Sequence, residues 1–234
     1  MRFYFKAIGV TLALAVAPVA MSVAHGGGGM SGGSSAGSQM PKVSRSPDDV
    51  AKSAYNDGVK TIKKAQESDE DAAKAATPEK SAKAKEKAQK YYQKALEQFI
   101  DAVGAQPAMY QAWNYMGFAN RHLGNYQDSL SAYAKALELN PNYPDAIEYR
   151  GEAYLGLNKI DDAKAAYMTL FQNSRPLANE LMTAMHRWAD ARQKDSQGLA
   201  AADIDAFTKW MDERATVAAQ TASLGVGAPQ AGWK

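Results

Sequence analysis

Few residues in this chain could do chemistry, and their spacing decides what each can contribute. The 234 residues include three histidines and no cysteine, which removes thiol nucleophiles, thiolate metal sites, disulfides and a lipid-modified N-terminal cysteine. His122 and His186 have no carboxylate or nucleophile at a spacing that builds a catalytic site, and no HEXXH-type zinc pattern occurs. Gly29-Met30-Ser31-Gly32-Gly33 fits the hydrolase elbow, and Gly27, Gly29 and Gly32 fit the dinucleotide fingerprint. Both devices need a strand before and a helix after, and the surrounding Gly and Ser supply neither. Met182, Met185, Trp188 and Met211 read as core filling rather than metal ligands. No catalytic residue and no cofactor is expected, and the chain reads as non-enzymatic.

His25 is the exception, and its chemistry depends on where the mature chain starts. MRFYFK places Arg2 and Lys6 ahead of the apolar run AIGVTLALAVAPVA. That run is short for spanning a bilayer and is built like a secretory signal peptide. Ser22-Val23-Ala24 puts small residues where cleavage needs them, so the expected signal is 1–24, the mature chain starts at His25, and the destination is the periplasm. A free amino group beside the His25 imidazole could chelate copper, with Met30 or Met40 as soft ligands. An exported metal-binding or enzyme-accessory protein is therefore one open reading. Loss of Arg2 and Lys6 turns 27 basic and 25 acidic residues into 25 and 25. A neutral mature chain does not suit nucleic acid as main partner, since phosphate binding needs concentrated Lys and Arg. Cleavage also leaves no integral membrane anchor.

The elements that would position such residues are helical. Residues 25–47 are Gly- and Ser-rich and read as a flexible linker. Ser46, Pro47, Asp48 and Asp49 form a helix start, with a cap, a first-turn proline and acids at the positive end. That helix is expected to run to about Glu67, followed by a loop over 69–78 and a second helix from about residue 79. Lysines are dense between 60 and 94 but interleaved with acids, the pattern of a solvated helix face.

Gly117 sits inside an apparent helix, where it costs ~1 kcal/mol relative to alanine. It recurs as Gly151, 34 residues on. At the same separation Ala112 pairs with Ala146, Leu123 with Leu157, Asp128 with Asp162, Pro107 with Pro141, and Phe99 with Tyr133 and Tyr167. Apolar residues in each unit follow helical periodicity in two blocks, broken at Gly124-Asn125 and Asn158-Lys159. On Trp113, Gly117, Gly124, Tyr126, Ser129, Tyr133, Ala136 and Pro141, residues 110–143 resemble the tetratricopeptide repeat family. Residues 144–177 repeat it with Gly151, Ala163 and Tyr167, though Ile147 replaces the tryptophan and Pro176 falls one place late. Residues 48–109 read as a first unit split by a charged insertion, around Gly58 in one half and Phe99 in the other.

The resemblance implies an all-α fold, antiparallel helix pairs stacked into a right-handed superhelix, spanning 48–177. Amphipathic segments within 178–222 would cap its end through Leu181, Met185, Trp188, Ile204, Phe207, Trp210 and Met211, and 223–234 would be a loose tail. It also implies a non-enzymatic interaction module or scaffold that holds a peptide or helix in a concave groove, with cell-envelope assembly as one role open to it. The groove-facing positions are Gln111, Asn114, Phe118, Arg121 and His122, then Asp145, Glu148, Glu152 and Leu155, joined by Tyr55, Val59 and Ile62. The subset of the family that grips a peptide's terminal carboxylates uses basic and amide groups there, and Phe118, Glu148 and Glu152 depart from it. With Asp145 they favour a partner rich in basic and apolar side chains.

Overall fold

A computed structural model describes residues 45–223. The expected signal 1–24, His25 with Met30 and Met40, most of the linker and the tail beyond Ser223 lie outside the described residues. Ser46 caps α1 (Pro47–Lys74), its side chain accepting from the Asp49 amide, and Pro47 is already helical. The expected stop near Glu67 is wrong by two turns, and the expected loop shrinks to 75–77. Three features carry the helix on. The tail of α1 is rich in alanine, Lys74 pairs with Glu70 at 3.0 Å, and Ala72 is buried against the returning helix. Thr77-Pro78, which resembles the middle of a loop, is instead the start of α2 (Pro78–Ala105): Thr77 accepts from the Lys80 amide and Pro78 occupies the first turn.

The charged insertion is therefore taken up as helix. Small residues line the inner seam of this hairpin at a spacing of seven: Ala51, Gly58, Ala65 and Ala72 on α1, Ala88, Ala95 and Ala102 on α2, all buried. A period of seven keeps one stripe of each helix facing the other, and small side chains let the backbones approach closely. Ser81, next in the α2 series, donates its hydroxyl to the Ala72 carbonyl at 2.9 Å where the hairpin turns.

The following helices are short. They are α3 (Tyr110–His122), α4 (Tyr126–Leu139), α5 (Pro144–Gly156) and α6 (Ile160–Asn173), in the two-block units the repeat spacing predicts. Gly124 has φ +80° and Asn158, one repeat later, φ 57°; both turn the chain between paired helices in the left-handed conformation glycine and asparagine accept. Each first helix packs on its own partner and on the first helix of the next unit. Gly117 makes the first of these contacts possible, because a Cβ there would stand 2.6 Å from the buried Tyr133 ring. Gly58 meets Phe99 at the same distance. Gly151 differs: a Cβ there would stand 2.7 Å from Leu181, on the helix after α6, then 3.3 Å from Ala166 of α6, and does not meet Tyr167.

Two longer helices follow, α7 (Arg175–Lys194) and α8 (Ala201–Ser223). α7 packs on α5 and α6 much as α5 packs on α3 and α4, so it takes the place of a third first helix. Leu181, Met185 and Trp188 enter the core with Phe207 and Met211 of α8, Ile204 is buried, and Trp210 lies edge-on to Tyr167. The described residues are all-α, with stacked helix pairs as expected. No helix among them is long and apolar enough to cross a membrane.

Candidate functional site

α5 packs between α3 and α7, and the expected groove residues of the two matched units lie on α3 and α5. Residues 34 apart come into register across these helices. Asn114 and Glu148, at matching positions, are 1% and 3% exposed. Among the described residues neither Asn114 Oδ1 nor Glu148 Oε2 has a hydrogen-bond partner, an expensive state for a buried acceptor. Burial, and then the charge of Glu152, raise the Glu148 pKa to about 8; Glu180 and Asp145 push the same way and Arg121 opposes them. At neutral pH this carboxyl is held mostly in its protonated form.

The other charged pair is already engaged. Arg121 Nη1 lies 2.6 Å from Glu152 Oε2, joining α3 to α5 with only 16% and 17% of the two side chains accessible. Glu152 is thus neutralised within the protein and is not a free carboxylate for a partner. Asp145 is partly exposed and Gln111 likewise, so both remain available at the surface.

Phe118 and Leu155, expected to line the groove, are 5% and 4% exposed and belong to the packing between helices; so does Ile62, at 3%. Phe118 has the ring of Tyr149 edge-on at 5.0 Å and His122 at 4.4 Å. An aromatic from the neighbouring unit covers it, which is why a groove-facing position ends up in the core. His122 is likewise a packing group. It stacks on Tyr92 at 4.4 Å, and Tyr92 donates its hydroxyl to Asp69 at 2.7 Å. Burial, and then the Arg121 guanidinium, lower the His122 pKa to about 3. The imidazole is therefore neutral at pH 7. Tyr55 lies tilted against the Phe99 ring and edge-on to that of Tyr115, and Val59 packs into the same cluster.

Trp113 donates its indole N–H to the Pro107 carbonyl at 2.8 Å. Tyr133, Ala136, Ala163 and Tyr167 are buried, and exposed Pro141 marks the turn into α5.

Sequence reasoning missed the residues that α7 adds. Glu180 joins the acidic end of the face, beside Glu148 and Asp145. At the opposite end Arg187, Trp188 and Arg192 line a cavity of about 430 Å³ with Arg121 and Leu155. The available signal was Pro176, which opens α7 as Pro144 opens α5. Read as a late proline closing the second unit, it hid the first helix of another.

Comparison with known proteins places the repeat. A tetratricopeptide repeat model matches residues 110–143 and a second matches 132–165, which supports tetratricopeptide repeats in this region. The chain is 28% identical over 111 residues to "Heat shock protein STI1" of Saccharomyces cerevisiae, a match covering 44% of this chain and 18% of that protein. It also resembles a solved structure, "First TPR of Spaghetti (RPAP3) bound to HSP90 peptide SRMEEVD", at 21% identity and a TM-score of 0.45, covering 61% of this chain and 95% of that one.

Proposed function

We propose that the protein is an interaction module or scaffold whose α3, α5 and α7 faces bind a segment of a partner carrying basic and apolar side chains. The observation behind this reading is the pair of buried, unpartnered acceptors, Asn114 Oδ1 and Glu148 Oε2, one repeat apart with Asp145 and Glu180 nearby. A partner cation drawn by Asp145 and Glu180 that parts the side chains closing over Glu148 would supply the donor this carboxyl lacks and ionise it. The repeat matches support the same class of function, since stacked helix pairs of this kind form extended binding surfaces.

Anisotropy of a labelled Lys-Leu alternating peptide tests this. Cation capture discharges a proton from Glu148, so affinity should rise with pH, by at most ~10-fold per unit, and level off near pH 8, where the free carboxyl already ionises. Glu148→Gln should weaken binding roughly tenfold and flatten that profile. Unchanged affinity in this variant would remove the reading.

The module is further proposed to act outside the cytoplasm, in the periplasm, on the strength of Arg2, Lys6 and the apolar run after them. N-terminal sequencing of the chain recovered from a bacterial periplasmic fraction should begin at His25; recovery of the intact N-terminus from the cytosol would refute export.

A further inference from the structure

The cavity at the C-terminal ends of α3, α5 and α7 has the opposite electrostatics to the Glu148 end. Its lining carries three guanidinium groups, Arg121, Arg187 and Arg192, and one carboxylate, Glu152. Arg121 and Glu152 neutralise one another, and the His122 imidazole on the same wall is held neutral by its packing. Two positive charges remain. Among the described residues neither Arg187 nor Arg192 pairs with a carboxylate.

This is a built surface rather than a scatter of exposed arginines. Trp188 is 9% exposed and donates its indole N–H to the Leu155 carbonyl at 2.6 Å. That bond joins the one from the Asn158 amide on a carbonyl in the last turn of α5 and fixes the indole as one wall of the cavity. Arg192 lies over that indole, its guanidinium carbon 5.3 Å from the ring centre, and its Nε donates to Asn158 Oδ1 at 3.0 Å. Asn158 is itself held in the left-handed turn between α5 and α6. The Nε bond and the ring contact orient the guanidinium and leave its two terminal nitrogens for a ligand. Arg187, exposed on the same helix, supplies a second cation to the lining. An oriented guanidinium loses less freedom on binding an oxyanion than a free one does, and its fork matches a carboxylate.

We propose that this cavity is an oxyanion subsite, gripped by Arg187 and Arg192 on the Trp188 wall, that takes a carboxylate side chain of a bound partner. The subsite goes beyond the Glu148 reading and does not depend on it. Where both hold, a partner meets an acidic end and a basic end of the same face, and only one orientation satisfies both.

The full chain, labelled with nitrogen-15, is titrated with succinate at low salt while the Trp188 indole and Arg192 Nε resonances are followed. Saturable shifts of both are expected, abolished at 0.5 M NaCl (about a 4 Å screening length). Arg187→Gln should weaken succinate binding several-fold, and Arg187→Gln with Arg192→Gln roughly tenfold or more. Arg187 is exposed, so the single variant remains informative if the double variant melts early. Lys52→Gln, on the far hairpin, should change nothing. Glu148→Gln should leave succinate binding intact while weakening the Lys-Leu peptide, which separates failure of one site from failure of the other. Absent or non-saturating shifts, shifts indifferent to Arg187→Gln, or saturation by inorganic phosphate but not succinate would each overturn the carboxylate subsite.

Discussion

The first hairpin and the second solve one packing problem at different lengths. In both, a glycine in the first helix lets an aromatic ring from the second lie against bare backbone. Gly117 meets Tyr133 sixteen positions later, whereas Gly58 meets Phe99 forty-one positions later, both at 2.6 Å from the added Cβ. The longer separation is filled by helix, with 64–74 continuing α1 and 78–91 leading into α2. That adds roughly 16 Å to the shorter side at 1.5 Å per residue. The glycine-aromatic contact thus answers a local requirement of close approach and is indifferent to the chain between its halves. The two regions differ in what surrounds that contact. α3–α4 relies on Tyr133 and Ala136, covered by Ala146 and Ala153 of α5, while α1–α2 continues its small-residue seam past Gly58 through Ala65 to Ala72.

The sharpest way to break this comparison is to fill both glycines. Gly117→Ala drives a Cβ into a ring that is 0% exposed and wedged between units. The ~1 kcal/mol gain in helix propensity is then outweighed by overpacking, for a net loss of about 2–4 kcal/mol in denaturant unfolding. Gly58→Ala meets an equally buried ring, but the seam on either side lets the hairpin retain its pairing. A smaller loss of about 1–2 kcal/mol is expected, with faster hydrogen exchange confined to α1 and α2. Equal losses and a global exchange response in both variants would show that the long hairpin has no support of its own.

The same contrast explains what could be read from the residues alone. α3 to α6 were legible because Gly117 and Gly151, Pro107 and Pro141, and the polar breaks repeat at one spacing, and each has a mechanical reason to do so. The end of α1 was not, because Thr77-Pro78 is equally good as a loop and as a cap with a first-turn proline. Only Ala72, buried against a helix not yet placed, settles it. The spacing of seven was present at Ala51, Gly58, Ala65 and Ala72, but alanines among charges carry little hydrophobic signal. In the groove, positions were legible and states were not. Arg121 and Glu152 neutralise each other across two helices, and Phe118 is covered by Tyr149 from the next unit. The raised pKa of Glu148 owes part of its shift to Glu180, on a helix that had been assigned to a cap. Each of these depends on pairs of residues from different units, which no single repeat displays.

Gly104 separates close packing from mere composition, and carries the smallest effect. It lies in the last turn of α2, in the same hairpin as Gly58, yet a Cβ placed there meets nothing within 4 Å among the described residues. Its backbone is not in the left-handed region. With no ring to displace, Gly104→Ala should show only the propensity term, a gain of about 0.5 kcal/mol near a helix end that frays. The sign is the test: glycines that admit a ring should lose stability on gaining a methyl group, and this one should gain it. If Gly104→Ala proves as damaging as Gly58→Ala, the cost of filling a glycine in this hairpin comes from helix geometry generally, and the contact with Phe99 is not what Gly58 is for.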